Sequence, residues 1–294
     1  MTPPEEAARA APAPPPAPHP AAAAPAPPPP IVVFEHVTKT YDNGFTAIKD
    51  VSFRIDDKPG EMELVTILGP SGCGKSTILR LIAGLRPQHP ATTGSVLVLG
   101  SPVTGPGADR GMVFQDYTSF DNRTVEDNVG FGLECRGVPR AERRERARQW
   151  IGKVGLDVDR DAPKYPHQLS GGMRQRVAIA RSLILGPRII LMDEPFGALD
   201  PRTRLNMQDM LVHLSREAQA TVFFVTHSIE EAVYLGDRTF IISSAPGTIL
   251  KQMAVPPPDF PARVMQMRPA FMEIVFEIRE IMETLESSTR AGDE

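Results

Sequence analysis

The chain has 294 residues, of which 41% are hydrophobic and 23% charged, and its formal net charge is −4. These values fit one large globular domain with appendages, and the negative balance gives no basic surface for nucleic acid. No stretch approaches the roughly 18–20 apolar residues of a membrane-spanning helix. We also expect no secretory signal, and the two cysteines, Cys73 and Cys135, favour a reduced, cytosolic compartment.

The first 30 residues are rich in proline and alanine, with 13 Pro and 11 Ala. Proline has no N–H donor and breaks helices, so the composition predicts an extended, disordered tail over residues 1–30. A passive tether is the simpler interpretation of this tail, and a docking site for a proline-binding partner is the alternative. We expect ordered structure from Ile31 onwards.

The next part of the chain is predicted to consist mainly of strands. Two of them flank the turn Asp42-Asn43-Gly44, and a third strand, expected to be buried, precedes a glycine-rich loop. A helix follows that loop and is expected to end near Gly84. The predicted strands are 31–40, 47–56, 63–68, 95–99 and 111–115.

Beyond residue 120 the pattern alternates between helices and strands. This alternation predicts a parallel, doubly wound α/β core, and the helix-rich stretch 121–172 is interpreted as an inserted subdomain. No internal repeat is visible. The predicted helices are 124–154, 172–185, 201–218, 229–235 and 264–285, and the predicted strands are 189–192, 222–225, 238–243 and 248–253.

The glycine-rich loop predicts a nucleoside triphosphate site. Its glycines let the backbone turn tightly and point N–H groups inward, and the following helix adds its positive dipole end. Lys75 supplies a charge for the β- and γ-phosphates, and Ser76 offers a hydroxyl to Mg²⁺. A thiol reagent that labels Cys73 should inhibit the activity of the chain, and bound ATP should protect the thiol from labelling. The predicted site comprises Gly69, Pro70, Ser71, Gly72, Cys73, Gly74, Lys75, Ser76 and Thr77.

Two carboxylates end the apolar strand 189–192. Asp193 is placed to hold the Mg²⁺ shell, and Glu194, one residue on, could polarise an attacking water. Two acidic turn residues without a function are the alternative, which the upstream phosphate loop makes less attractive.

A serine and two glycines open the helix predicted from residue 172. Ser170 can cap that helix, and Gly171 and Gly172 allow a close backbone approach. The segment is therefore either a capped helix start or a second phosphate-binding end, and spacing alone does not choose between them.

Together these segments resemble the nucleotide-binding subunit of ABC transporters over about Ile31–Met253. The resemblance rests on the phosphate loop, on Gln115, on Leu169–Met173, on Asp193-Glu194, on Ala198-Leu199-Asp200 and on His227. It implies an α/β P-loop NTPase fold with a RecA-like core, an antiparallel β subdomain and an inserted α-helical subdomain. The implied organisation is an ATP-binding domain over 31–258, with its helical subdomain at 121–172, and a C-terminal helical extension over 259–294.

The resemblance also implies roles for single residues. Tyr41 would stack on adenine, and Gln115 would touch Mg²⁺ and the attacking water. Glu194 would activate that water, and His227 would reach the γ-phosphate. Asp200 would cross a dimer interface, although it can also simply cap the helix that Pro201 opens.

Within the family the chain looks most like ATPases of importers for nitrate, sulfonates and taurine. Met173 stands where the wider family usually has Gln, and Met is common at this position in the subgroup. The resemblance implies a head-to-tail homodimer around ATP and Mg²⁺, with Ser170, Gly171 and Gly172 of one copy on the phosphates bound by the other.

The implied partners are separate transmembrane permease subunits, contacted through residues 115–135, and an external solute-binding protein. No nucleic acid partner is implied, and the implied location is the cytoplasmic face of the inner membrane. Two alternatives remain open: a soluble ABC ATPase that is not coupled to transport, and a regulator that binds ATP without hydrolysing it.

Overall fold

A computed structural model of the chain describes residues 28–58, 60–116 and 118–290, the last six of these without their side chains. Most of the tail predicted over residues 1–30 therefore lies outside the described residues. The last four residues of the expected C-terminal extension lie outside them as well.

A four-stranded antiparallel sheet has the strand order β2-β1-β4-β5. The predicted strands 31–40, 47–56 and 95–99 are confirmed within about two residues, and a fourth, two-residue strand was not predicted. The strands are β1 (Val32–Thr40), β2 (Thr46–Ile55), β4 (Thr93–Val98) and β5 (Ser101–Pro102).

A second sheet of six strands has the order β10-β9-β3-β8-β7-β6. Its five strands from β9 to β6 are parallel, which confirms the predicted α/β core, and β10 is an antiparallel edge. The carboxyl ends of the parallel strands share one edge, so the loops after β3, β6, β7 and β8 meet there. The strands are β3 (Leu64–Leu68), β6 (Arg110–Val113), β7 (Ile189–Asp193), β8 (Thr221–Thr226), β9 (Arg238–Ile242) and β10 (Ile249–Ala254).

Nine helices connect or flank these strands in the described part of the chain. Two of them, α6 and α7, have the predicted bounds, and each starts after a capping residue, Asp200 or Ser228, that accepts a hydrogen bond from a main-chain N–H in the first turn. The helices are α1 (Lys75–Ala83), α2 (Val125–Cys135), α3 (Arg140–Lys153), α4 (Val158–Asp161), α5 (Gly171–Leu183), α6 (Pro201–Ala218), α7 (Ile229–Leu235), α8 (Ala262–Met265) and α9 (Pro269–Arg290).

Two long helices predicted from the sequence are each divided in the structure. The helix predicted over 124–154 is interrupted after Cys135, where Gly137 takes a φ of +73° and Pro139 precedes α3. The helix predicted over 264–285 is interrupted before Pro269, whose ring disfavours a helical conformation at the preceding residue. Both predictions missed a break that a proline marks.

The core lies on both faces of the six-stranded sheet. Along β3, Leu64 and Leu68 pack into a cluster with the helices α2–α7, whereas Val65 and Ile67 pack into a cluster with α1 and the antiparallel sheet. Successive side chains of a strand point to opposite faces, so β3 anchors both clusters. The loop that follows β3 therefore starts from a strand that is buried on both faces.

Candidate nucleotide site

The phosphate loop predicted from the sequence connects β3 to α1 at the carboxyl edge of the parallel strands. Gly74 has a φ of +95°, and a Cβ there would lie 2.5 Å from Cγ2 of Ile48 and 2.7 Å from the Ala47 oxygen. Only glycine fits this position. The loop borders an open cleft of about 360 Å³. The cleft is lined by Tyr41, Phe45, Ala47, Ser71, Gly72, Gly74, Lys75, Ser76, Thr77, Gln115 and Glu194.

The Lys75 ammonium lies at the base of this cleft with its side chain 4% exposed. Its Nζ donates to the main-chain oxygens of Gly69, at 2.9 Å, and Pro70, at 2.7 Å. The same Nζ lies 3.8 Å from Oε1 of Glu194. The loop thus fixes a buried positive charge beside a carboxylate, at a place where phosphate oxygens would meet it.

Ser76 and Asp193 bring a hydroxyl and a carboxylate together. Ser76 Oγ donates to Oδ1 of Asp193 at 2.6 Å, and Nη2 of Arg80 lies 3.5 Å from Oδ2 of the same carboxylate. Burial raises the pKa of Asp193, while the bond from Ser76 and the charge of Arg80 oppose that rise. Two oxygen ligands from the protein suit Mg²⁺, which takes one or two carboxylates and completes its shell with substrate phosphates and water.

Glu194 and His227 meet at the ends of β7 and β8. His227 Nδ1 lies 3.0 Å from Oε2 of Glu194, whose side chain is 19% exposed. Glu194 takes a φ of +45°, and its main-chain N–H donates to the Val225 oxygen at 3.1 Å. A positive φ at a residue other than glycine costs roughly 1–3 kcal/mol and is a feature of functional sites. This backbone conformation follows Asp193, and the two carboxylates have separate partners.

The aromatic end of the cleft carries Tyr41 and Phe45. The Tyr41 hydroxyl lies 3.2 Å from Oγ1 of Thr77, and the two rings lie nearly parallel with centroids 6.4 Å apart. Phe45 is 48% exposed, which leaves a ring face open beside the phosphate loop. The stacking role of Tyr41 stays a prediction. Gln115 is exposed on the same cleft.

Ser170, Gly171 and Gly172 are not among the residues that line this cleft. They start α5, where Ser170 Oγ accepts from the Met173 N–H at 3.4 Å. A Cβ on Gly172 would lie 2.8 Å from Cγ2 of Thr203, so this segment touches the start of α6. Asp200 caps α6 by accepting from the Thr203 N–H at 3.0 Å, and hydrogen bonds from Thr203 lower its pKa.

Comparison with known proteins assigns the family. Residues 48–197 match the family model described as ABC transporter. The chain belongs to the ABC transporter family. It is an ATP-binding protein and an ATPase of this family, and the predicted fold class is confirmed.

Two relatives of this ABC ATPase have names that state a transport role. The nitrate import ATP-binding protein NrtD of Synechocystis sp. is 47% identical over 209 residues, which cover 71% of this chain and 75% of the relative. The taurine import ATP-binding protein TauB of Rhizobium johnstonii is 43% identical over 260 residues, covering 86% and 95%.

A solved structure shows the same fold with reaction products bound. It is a dimeric post-hydrolysis state of the ATP-binding cassette MJ0796 with ADP and Pi. It matches with a TM-score of 0.64 and 35% identity, over 76% of this chain and 99% of that one.

Cys73 does not contribute its thiol to the site of this ABC ATPase. The side chain is fully buried in the cluster formed by α1 and the antiparallel sheet, and burial raises the pKa of the thiol. The expected inhibition by thiol reagents is therefore corrected, since reagents attack exposed thiolates. Only the main chain of Cys73 remains available for phosphate binding.

Sequence reasoning missed several groups at this ABC site. Arg80 was not singled out, although it lies one helical turn beyond Ser76 and its charge faces Asp193. Phe45 follows the turn at Gly44 and could have been noticed as an aromatic residue close to Tyr41. Thr226 was not singled out either, although its hydroxyl bonds two residues that follow it closely in the chain, Ser228 and Glu231.

No helix in the described ranges of this ABC ATPase is long and apolar enough to cross a membrane. Those ranges also contain no group of three or more His, Cys, Asp or Glu side chains placed to hold a metal.

Proposed function

We propose that this ABC ATPase energises the import of a small solute of the nitrate, sulfonate or taurine type. The names of two relatives, NrtD and TauB, support an importer. In this proposal the chain binds ATP with Mg²⁺ at the cytoplasmic face of the inner membrane. Transmembrane permease subunits and an external solute-binding protein complete the importer, and no nucleic acid takes part.

The domain organisation is part of the same proposal. Residues 31–258 form the ATP-binding domain, with the helical subdomain at 121–172, and residues 259–294 form the C-terminal extension. The pairing of α2 with α3, and of both with α5, supports a helical subdomain that packs on the core.

One observation carries the proposed mechanism. Lys75, Ser76, Asp193, Glu194 and His227 converge on one edge of the sheet, whereas Ser170–Gly172 do not line that cleft. If Ser170–Gly172 bind phosphate but do not line the cleft of their own copy, they can bind the phosphates held in the cleft of a second copy. We therefore propose a head-to-tail homodimer in which each ATP lies between the phosphate loop of one copy and Ser170–Gly172 of the other.

In that dimer each group has a chemical task. Gly69–Thr77 bind the phosphates, Ser76, Asp193 and Gln115 hold Mg²⁺, and Tyr41 stacks on adenine. Glu194 orients and deprotonates the attacking water, and His227 binds the γ-phosphate. ATP joins the two copies because both faces bind its negative charge. Hydrolysis and phosphate release remove this link and let the copies separate.

Mixing two inactive variants tests the shared site. Lys75→Ala disables the phosphate loop, and Ser170→Arg blocks the segment at α5, so each homodimer should be inactive. In a mixed dimer one of the two sites combines an intact loop with an intact Ser170 segment. An equal mixture is therefore expected to recover about a quarter of the wild-type rate of phosphate release, if copies exchange freely.

Two controls make the mixing experiment decisive. Each variant is assayed alone at the total concentration of the mixture, and a mixture of two Lys75→Ala preparations with different tags checks that exchange itself adds no activity. If the mixed variants stay inactive although mixed dimers form, the site lies within one copy and the head-to-tail arrangement is wrong.

An aromatic and cationic patch, formed by residues within 115–135 and by Arg181 of α5, suits the permease contact. The rings of Phe120 and Phe131 lie 4.5 Å apart between centroids, and Phe120 is 38% exposed. The guanidinium of Arg123 lies 4.9 Å from the Phe131 ring, and that of Arg181 lies 5.6 Å from the Phe120 ring. Exposed aromatic and arginine side chains are common at the centre of protein interfaces.

Transport by reconstituted vesicles tests the importer. Vesicles holding the co-purified membrane subunits are supplied with the chain, ATP and the solute-binding protein, and uptake of labelled nitrate, taurine or an alkanesulfonate is measured. We expect ATP-dependent uptake of one of these solutes, and Phe120→Ser should lower the uptake per ATP hydrolysed several-fold. An Arg146→Gln variant on an exposed face of α3 is the control. Failure to associate with membrane subunits, together with tight ATP-dependent DNA binding, would favour the soluble ATPase instead.

A further inference from the structure

A buried carboxylate lies between the two loops that carry His227 and Asp200. Glu231, in α7, is 6% exposed. Its Oε2 accepts a hydrogen bond from Thr226 Oγ1 at 2.6 Å, and its Oε1 accepts from Gln208 Nε2 at 3.3 Å. The same Oε1 lies 3.7 Å from Nε of Arg204 in α6. Glu231 therefore joins the end of β8 to the first turns of α6.

Keeping a carboxylate in this place has a free-energy cost. Burial raises the pKa of Glu231, and the bond from Thr226 and the charge of Arg204 act in the opposite direction. Three neighbouring groups thus satisfy a charge that would be better solvated in water. Ser228 and Glu231 have the spacing of a capping box, a motif in which the glutamate carboxylate accepts a hydrogen bond from the serine N–H. The carboxylate instead points inward.

The hydroxyl of Thr226 takes over that capping task. Thr226 Oγ1 accepts from the Ser228 N–H at 3.0 Å while it donates to Glu231. Ser228 Oγ in turn accepts from the Glu231 N–H at 3.2 Å. The two neighbours of His227 are therefore both bonded to Glu231, Thr226 to its carboxylate and Ser228 to its main-chain N–H. The ring of His227 reaches Glu194 from this fixed loop.

Arg204 connects Glu231 to the turn that contains Asp200. Its Nη2 donates to the Leu199 oxygen at 3.1 Å, and its main-chain N–H donates to the Asp200 oxygen at 2.9 Å. The guanidinium that faces Glu231 is therefore anchored to the residue that precedes Asp200. A continuous set of contacts runs from His227 through Glu231 and Arg204 to the turn that starts α6.

We propose that Glu231 is a positioning residue that, through Arg204, fixes the loop of His227 relative to the turn of Asp200. The inference rests on the proposed function, in which His227 serves the nucleotide of its own copy and Asp200 crosses to the other copy. Glu231 then connects the two nucleotide sites of the dimer, and its replacement slows hydrolysis without weakening ATP binding. Glu231 itself does not line the cleft beside the phosphate loop.

Steady-state kinetics of two variants and their combination test this role. Glu231→Gln keeps the size of the side chain and an oxygen that accepts from Thr226, but it removes the charge that faces Arg204. Arg204→Gln removes the partner. Each change is expected to lower kcat roughly 2- to 30-fold, the range for residues that couple sites, with KM for ATP unchanged. The double variant should be no slower than the slower single variant, because both changes break one connection.

Glu277→Gln is the matched control. Glu277 forms an exposed ion pair with Lys251 at 2.8 Å, so this change also replaces a paired Glu but at a site remote from His227. It should leave kcat and the melting temperature unchanged. The melting temperatures of all variants are recorded. Thr226→Ala removes the hydroxyl that joins Glu231 to the loop of His227, so it should also lower kcat at constant KM.

The outcomes separate the inference from the proposed function. Wild-type kcat in Glu231→Gln, a KM that rises as kcat falls, or effects that multiply in the double variant would each overturn the positioning role. The proposed function stands in all of these cases as long as Glu194→Gln is inactive. If the wild-type chain releases no phosphate, the proposed function itself is wrong.

Discussion

Glu194→Gln is expected to bind ATP with wild-type affinity and to lose nearly all turnover. A positioned general base contributes roughly 10²–10⁴ in rate, so the rate of phosphate release should fall by about that factor. In the proposed dimer, ATP joins the two copies and hydrolysis lets them separate, so the variant should also accumulate as a dimer when ATP and Mg²⁺ are present.

The geometry around Glu194 supports the expectation that glutamine cannot replace it. Oε2 of Glu194 lies 3.0 Å from Nδ1 of His227, and Oε1 faces the Lys75 ammonium at 3.8 Å. A neutral amide keeps the size of the side chain but loses the basicity that water activation needs. The main-chain bond from Glu194 to the Val225 oxygen does not involve the carboxylate, so the variant should stay aligned and remain inactive for a chemical reason.

Three measurements check the Glu194 prediction. Phosphate release gives the rate, equilibrium binding of ATP gives the affinity, and size-exclusion chromatography with light scattering gives the oligomeric state. Glu217→Gln, which removes an exposed carboxylate paired with Lys153, serves as the control and should behave as wild type. Wild-type hydrolysis by Glu194→Gln would contradict the assignment, and a strictly monomeric variant with ATP bound would contradict the dimer.

Much of the fold could be predicted because its signals are local. The start of α6 follows from Asp200-Pro201, because aspartate is a good capping residue and the first helical position does not require the N–H that proline lacks. The phosphate loop follows from glycines that tolerate a positive φ, as Gly74 shows. Apolar runs of five or six residues such as β3 and β8 mark strands that are buried on both faces.

The missed features depend on partners far away in the sequence. The sequence placed Cys73 within the loop, but only the structure shows that its side chain packs towards the core. Glu231 fits a capping box locally, yet Arg204 and Gln208 of another helix draw its carboxylate inward. Chain order gives the residues that follow each strand, but it does not give the direction of each side chain.

The division of the C-terminal helices shows a different kind of error. Apolar spacing continues across residues 264–285, so periodicity alone predicted one helix. Pro269 starts α9 instead, and the break after Met265 lets α9 pack along α7, where Arg279 lies 3.5 Å from Glu230. The proline therefore separates two helices although the apolar spacing continues across it.

Lys75→Ala is expected to weaken ATP binding itself, in contrast to Glu194→Gln. A hydrogen bond to a charged group contributes about 1.5–3 kcal/mol, so the Kd for ATP should rise roughly 10- to 150-fold. The side chain is almost fully buried, and its Nζ sits at the base of the cleft on the oxygens of Gly69 and Pro70. No other cation lines that cleft in the described part of the chain.

The same contacts require a check on folding. Loss of Lys75 removes a donor from two main-chain oxygens of the loop, so part of the effect could arise from a distorted loop. A melting curve without nucleotide separates the two contributions, because distortion lowers the melting temperature and loss of a phosphate contact does not. Lys251→Ala removes an exposed lysine that is paired with Glu277, and it should leave ATP affinity unchanged.

Comparison with Ser76→Ala locates the Lys75 effect on the phosphates. Ser76 binds Asp193 at 2.6 Å and would act through Mg²⁺, so its removal should weaken ATP binding only when Mg²⁺ is present. Lys75 acts as a direct charge, so its removal should weaken ATP binding with Mg²⁺ and in EDTA alike. Titration of a fluorescent ATP analogue under both conditions measures this difference. Unchanged affinity of Lys75→Ala would contradict the phosphate loop, and an effect confined to Mg²⁺ would place Lys75 at the metal instead.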